Sequence, residues 1–327
     1  SDAFYGDAGG IEFYFQVEDL AGFNKRSPAD ETYYYSYLTA LSGASAPLLS
    51  GLPGGGSVNG YRIISIPYDL EDNKVATIFN ELGAQDVNSW RLLTYGGGEP
   101  ATWLEFPNGF TTVERGKGYW INVKNPVQLS LEGASSPKNN QSSFFTMQLK
   151  SGWNQVGNPY PTPISWEETR LQDENIGKLK IYKGGAAYEN GDELKKFEGG
   201  FVYLNGPDLA VKVRFKGITS GGREKDLEPN TDISGDNWFV PIALNQGEFT
   251  NTLSGIGMNT DAREGYDRFD DFNAPSVFGT FELSFKGVGR ELAVDFTPLA
   301  DAHAWEFKDK TNLGGHAGLQ WNNTVFG

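Results

Sequence analysis

The chain has 327 residues, with 42 acidic against 27 basic side chains and a formal net charge of −15 at neutral pH. That balance argues against a nucleic-acid binder, which displaces counterions with a basic stripe. Aromatic residues make up 14 % of the chain and glycine contributes 42 residues. This is too aromatic for a disordered chain and suits many short strands joined by tight turns.

There are no cysteines, so disulfides, thiolate-bound zinc and thiol nucleophiles are excluded. No run reaches the roughly 18 apolar residues of a membrane span. The opening Ser1-Asp2-Ala3, without Met or a leader pattern, reads as a processed or excised fragment. The sequons at Asn140 and Asn322 suit exposed loops.

Period-two alternation dominates from the start. Ile11, Phe13, Phe15 and Val17 share one face, opposite Glu12, Tyr14, Gln16 and Glu18. Tyr33-Tyr34-Tyr35-Ser36-Tyr37 puts rings on both faces of a strand, as a bridge between blocks or an exposed sticky surface. Further strands are expected at Arg62–Ile66, Tyr119–Val123, Trp238–Leu244, Leu292–Phe296 and Trp305–Phe307. Val211/Val213/Phe215 and Phe281/Leu283/Phe285 alternate with polar residues, as half-buried antiparallel strands do.

Val75, Ile78, Phe79 and Leu82 predict one short helix at about 73–82, capped by Asp72 or Asn73 and ended by Gly83. Ser165 and Glu168 have capping-box spacing and mark a shorter turn. Loop-like stretches at 41–60, 133–143 and 220–237 divide the chain into blocks at 1–45, 46–143, 144–220 and 235–327.

The second and third blocks repeat each other. Ile64-Ser65-Ile66-Pro67-Tyr68 matches Val156-Gly157-Asn158-Pro159-Tyr160, and Leu92-Leu93-Thr94-Tyr95 matches Leu179-Lys180-Ile181-Tyr182. Gly116-Lys117-Gly118-Tyr119-Trp120 matches Glu198-Gly199-Gly200-Phe201-Val202, and Val127/Leu129/Leu131/Gly133 matches Val211/Val213/Phe215/Gly217. Four matches in one order, with drifting offsets, indicate a duplicated β-module with variable loops. Two copies suit a paired or pseudo-twofold arrangement. The glycines of Arg115-Gly116-Lys117-Gly118 read as a tight turn with positive φ rather than a phosphate cradle, because no helix follows.

These motifs, with Trp90-Arg91-Leu92-Leu93-Thr94-Tyr95 and Gly152-Trp153-Asn154-Gln155-Val156-Gly157-Asn158-Pro159-Tyr160, resemble a recurring β-module of large bacterial secreted and surface proteins of the type IX secretion kind. The segment Ile11–Pro28 is similar to the last strands of an Ig-like or fibronectin-type domain, although Phe23 stands where that pattern has Asn. The segment Gly257–Asp271, Pro275, Trp305 and Leu319-Gln320-Trp321 resemble a β-sandwich that precedes sorting domains in such proteins. The resemblance implies an exported multidomain protein and carries no catalytic residue across. It also implies that the chain stops before the sandwich's last strands and any sorting domain.

Asp261, Glu264, Asp267, Asp270 and Asp271 cluster within eleven residues and suit calcium, which takes six to eight hard oxygens. They lack EF-hand spacing, and Arg263 and Arg268 lie among them, so the alternative is a solvated loop with internal ion pairs and turns. The stretch Asp226–Asp232 is a weaker calcium candidate. Trp90, Trp103 and Trp120 are candidate rings for a glycan platform, against the alternative of core packing. The two histidines, His303 and His316, form no metal-binding pair, and no nucleophile elbow or Walker loop occurs.

The expected fold is all-β, with several antiparallel β-sandwich-like modules in tandem, an internal duplication and the one short helix. These would be the last strands of an Ig-like domain (1–45), two copies of a β-module (46–143 and 144–220) and a partial β-sandwich (235–327). The expected function is a non-catalytic structural or interaction segment of a secreted or cell-surface bacterial protein. It would space or dock neighbouring domains such as an adhesin tip, a protease or a sorting domain. Its partners would be those domains, secretion machinery or surface polysaccharide, with calcium as the one candidate cofactor. The alternatives are a carbohydrate-binding module and, third, a glycoside hydrolase or other hydrolase.

Overall fold

The computed structural model describes residues 11–13, 15–18, 22–27, 34–36, 48–98, 100–135, 144–184, 187–214, 236–277, 281–287, 291–311 and 314–322. The fold is all-β, built from small, mainly antiparallel sheets with two short α-helices. The strand Ile11–Phe13 pairs with Tyr34–Ser36, and Phe15–Glu18 with Asn24–Ser27. Val17, expected on a buried face, is 66 % exposed. The sequon at Asn140, the stretch Asp226–Asp232, Phe215 and Gly217, and all but three residues of the Tyr33–Tyr37 run lie outside the described residues.

In the first module the strands are β1 (Leu48–Leu52), β2 (Arg62–Ile64), β3 (Trp90–Gly97), β4 (Thr102–Glu105), β5 (Tyr119–Val123) and β6 (Val127–Ser130). The second module has β7 (Phe145–Leu149), β8 (Gly152–Gly157), β9 (Leu179–Gly184), β10 (Ala187–Gly191), β11 (Gly199–Leu204) and β12 (Leu209–Val213). The sheet order in the first is β2-β5-β3-β4, with β1 and β6 paired apart; in the second it is β8-β11-β9-β10, with β7 and β12 paired apart. The duplication read from the sequence is thus a duplication of topology.

Strand position explains the residue patterns. β5 and β11 are central, are covered on both faces, and are buried at every position, so they read as nearly continuous apolar runs. β7 and β12 belong to outer two-stranded sheets and keep the alternation, with Met147, Leu149, Val211 and Val213 inside. The expected helix at 73–82 is a single α-turn, α1 (Val75–Ile78), followed by a 3₁₀ turn at Asn80–Leu82 and ended by Gly83 at φ 72°. Asp72 accepts hydrogen bonds from Lys74 N and Thr77 Oγ1 at its start. α2 (Trp166–Arg170) occupies the equivalent place in the second module, and Glu168 N donates to the Ser165 side chain at 3.2 Å, as the capping-box spacing predicts.

Each module has its own core, one around Leu92, Ile121 and Val75, the other around Leu179, Val202 and Trp166. The two are joined by reciprocal contacts. Ile64 of β2 bridges to Glu198 ahead of β11, and Val156 of β8 bridges to Lys117 ahead of β5. Ser65 N donates to Phe197 O, and Gly157 N to Gly116 O, both at 2.9 Å. Backbones pass so closely here that a Cβ at Gly157 would meet Lys117 O at 2.4 Å, and one at Gly118 would meet Val156 O at 2.6 Å. Gly116 has the expected positive φ, 83°, whereas Gly118 is required for close approach instead.

The fourth block is a two-layer sandwich. β13 (Trp238–Gln246) and β14 (Phe249–Met258) form a hairpin, flanked by β17 (Val294–Thr297) and β19 (Gly318–Trp321). The facing sheet contains β15 (Phe281–Lys286), β16 (Glu291–Leu292) and β18 (Phe307–Thr311). Leu244, Phe281, Leu283 and Phe285 fill the space between, with Trp305 packed against them. Two details depart from expectation: β14 and β17 are parallel, and the strand expected at Trp305–Phe307 begins at Phe307.

One further cluster spans all three units. Tyr61, Ile63, Leu93 and Trp120 of the first module meet Tyr182, Tyr188 and Phe201 of the second, and Leu253 and Ala274 of the sandwich. Its rings meet edge to face, Trp120 with Tyr182 at 4.9 Å and with Tyr61 at 5.8 Å. Each such pair contributes about 0.5–1.5 kcal/mol beyond area burial.

The junction is testable with one methyl group. Gly157→Ala overpacks the crossing backbones and is expected to destabilise the chain by about 1–3 kcal/mol in urea unfolding. Gly318→Ala, where a Cβ meets nothing within 4 Å, is expected to stay within about 0.5 kcal/mol of the parent. Equal effects would contradict the close approach.

Candidate functional site

The sequence candidates separate in space. Trp120 is 0 % exposed and lies in the shared cluster, and Trp90 is 3 % exposed and stacks on Phe106 at 5.6 Å in the first module's core. Neither ring can lie against a sugar, so both leave the proposed platform. Trp103 is half-buried, edge-on to Tyr95 at 5.5 Å and to Phe201 at 6.1 Å.

The acidic segment is likewise dispersed by its own turns. Asp261 faces Arg268 at 3.6 Å, and Glu264 is exposed. Asp267 accepts from Arg263 N and Phe269 N at 2.7 and 2.8 Å. Asp270 is buried and accepts from Asp267 N and Phe296 N, both at 2.8 Å. Asp271 accepts from its neighbour Phe272 N at 2.9 Å and from Lys180 of β9. Among the described residues, no three His or carboxylate side chains converge as a metal would need. The arrangement matches the solvated-loop alternative for Asp261 and Glu264, and structural capping for Asp267, Asp270 and Asp271.

A groove of about 780 Å³ lies where the two modules meet. One wall is Tyr95 with Gly96–Gly98, at the end of β3; the other is the start of β8, including Trp153 and Asn154. Glu114–Lys117 close one end. The walls are held in place by internal bonds: Tyr95 N donates to Gln155 Oε1 at 2.7 Å, and Asn154 Nδ2 donates to Lys150 O at 2.7 Å. Arg115 lies over the Phe145 ring at 5.1 Å and pairs with Asp69 at 3.1 Å. Trp153 is half-buried, edge-on to Tyr203 at 5.3 Å.

The described lining carries Arg115, Lys117 and Lys150 but one carboxylate, Glu114. Paired-carboxylate glycoside hydrolysis has too little material in this lining. Ring edges beside fixed amides suit binding. Sequence reasoning passed over Tyr95, and nothing local separated Trp153 from a core tryptophan. Trp153 follows Gly152, at φ 88°, near the start of β8. No family model, no curated protein and no solved structure matches the chain.

Burial pushes the Asp270 carboxyl up to about 8, against the pull of its backbone donors Phe296 and Asp267. Folded Asp270 therefore keeps a proton that the unfolded chain has released between the ordinary carboxylate range and that value. Stability falls as pH rises through this window, by at most about 1.4 kcal/mol per pH unit for one proton. Asp295 and Glu282 are also raised by burial and act in the same direction. Denaturant titrations at pH values across the window are expected to show this decline, and Asp270→Asn is expected to make it shallower. An unchanged slope in the variant would contradict the assignment.

Proposed function

We propose that this chain is a non-catalytic structural and interaction segment of a secreted or cell-surface bacterial protein, holding neighbouring domains at a fixed spacing. The observation that supports this reading is the cluster around Trp120, to which both modules and the sandwich contribute. A hinge between units would require that cluster to part, at a cost proportional to the apolar area exposed. The acidic balance of the chain keeps such an exported segment soluble.

Fractionation of the source cells, followed with an antibody to this chain, tests the address. The expected result is signal in the medium or on cells, removed by added protease. Signal confined to the cytoplasm would overturn the proposal.

The second reading is a carbohydrate-binding module, favoured by the groove with Tyr95 and Trp153 between the modules. Affinity electrophoresis against a panel of neutral and acidic polysaccharides reads it directly. Retardation by at least one polysaccharide, lost in Trp153→Ala while the fold persists by circular dichroism, is expected on this reading. No retardation by any of them would remove it.

A further inference from the structure

Lys180 is fully buried, with no exposed side-chain surface. It stands on β9 directly opposite Asn190 on β10. Its Nζ donates to Asn190 Oδ1 at 2.6 Å and to the Asp271 carboxylate, which arrives from the sandwich. An amine, a carboxamide and a carboxyl group therefore meet at one point, where the second module and the sandwich dock. An ordinary ion pair needs only two of these.

We infer that Lys180 and Asn190 become joined by an isopeptide bond that the folded chain forms by itself, with Asp271 relaying the proton. The geometry carries most of the argument. A carbonyl bond of about 1.2 Å places the Asn190 amide carbon no farther than about 3.8 Å from the Lys180 nitrogen, close to the separation of a near-attack pair. A rotation of the amide about its Cβ–Cγ bond turns the carbonyl face toward the amine. Direct cross-strand partners have Cβ atoms about 4.5–5.5 Å apart, a gap the flexible lysine stem spans when folded back.

Burial favours the uncharged amine, which is the nucleophilic form. It pulls the Lys180 ammonium below its ordinary value, opposed by the nearby Asp271 charge. Asp271 takes one proton from the ammonium. The freed amine attacks the Asn190 carbonyl carbon, the new N–C bond forms and the old C–N bond of the carboxamide breaks. The attacking nitrogen gives up one proton and the leaving nitrogen gains one, so ammonia departs. It leaves as neutral ammonia, and Asp271 keeps the proton taken from the ammonium, so the site ends without charge. No oxidant or other reactant is consumed. Asn190 is itself exposed, which gives the leaving group a route to solvent. The product replaces a buried ion pair by a neutral amide whose N–H faces the protonated Asp271 carboxyl, so neither charge of the pair remains buried.

The test is the mass of the folded, purified chain, measured after denaturation and followed by a peptide map. The expected result is a chain lighter than its sequence by one ammonia, with a branched peptide joining Lys180 to Asn190. Asn190 precedes Gly191, and cyclisation of that pair to a succinimide also releases ammonia, but it leaves a linear peptide. Lys180→Met is expected to restore the full mass, whereas a succinimide would persist in it. Asp271→Asn, which keeps the shape but loses the relay, is also expected to show the full mass. The parent peptide map decides the matter even where a variant does not fold. A parent chain at its sequence mass, after circular dichroism confirms folding, would overturn the inference. So would a loss of water placed between Lys180 and Asp271, or a loss of ammonia in a linear peptide.

Discussion

The structure depends on the place where two copies of one module cross. β2 bridges to the strand lead-in of the second copy and β8 to that of the first, so neither central sheet is complete without the other. This crossing brings the outer faces of the two sheets together, and Trp120, Tyr182, Tyr188 and Phe201 fill the wedge between them. Glycine at 118, 157 and 199 is what allows the backbones to approach closely enough for those rings to meet. The sandwich closes the remaining side with Leu253 and Ala274, and Phe272 reaches Tyr203 at 4.3 Å. Three units thus share one aromatic joint while keeping separate cores.

That organisation explains where the groove and the buried ion pair fall. The groove is the open side of the crossing, lined by the end of one central sheet and the start of the other. Lys180 lies where the sandwich meets the second module, and its Nζ donates to Asp271. Both features belong to contacts between units rather than to any one of them. A single module in isolation would expose Trp120 or Phe201 and leave Lys180 without its carboxylate.

Much of the architecture was legible because it is local. Alternation marked β12 and β15, the apolar run marked β5, and the ordered matches between residues 64–133 and 156–217 announced a shared topology. Ser165 and Glu168 gave the start of α2 directly. The helix at 73–82 was overestimated because its apolar spacing continues through a 3₁₀ turn that hydrogen bonding alone distinguishes. The site was far less legible. Five carboxylates close in sequence suggested a shared ligand, yet Asp turns at 267 and 270 point them to different backbone donors. Lys180 stood out only as part of a repeat match, since its partner lies 91 positions away. Trp90 and Trp120 could not be told from exposed rings, because burial in the first module's core or between modules leaves no mark on local periodicity.

The central claim is that the joint makes both modules and the sandwich one cooperative body. Native-state hydrogen exchange in rising urea measures this directly, read by mass spectrometry on peptides covering 119–123, 199–204 and 249–258. The account predicts that all three lose protection together, at one urea concentration and with one free energy of opening. Loss of protection in separate steps, module by module, would contradict it.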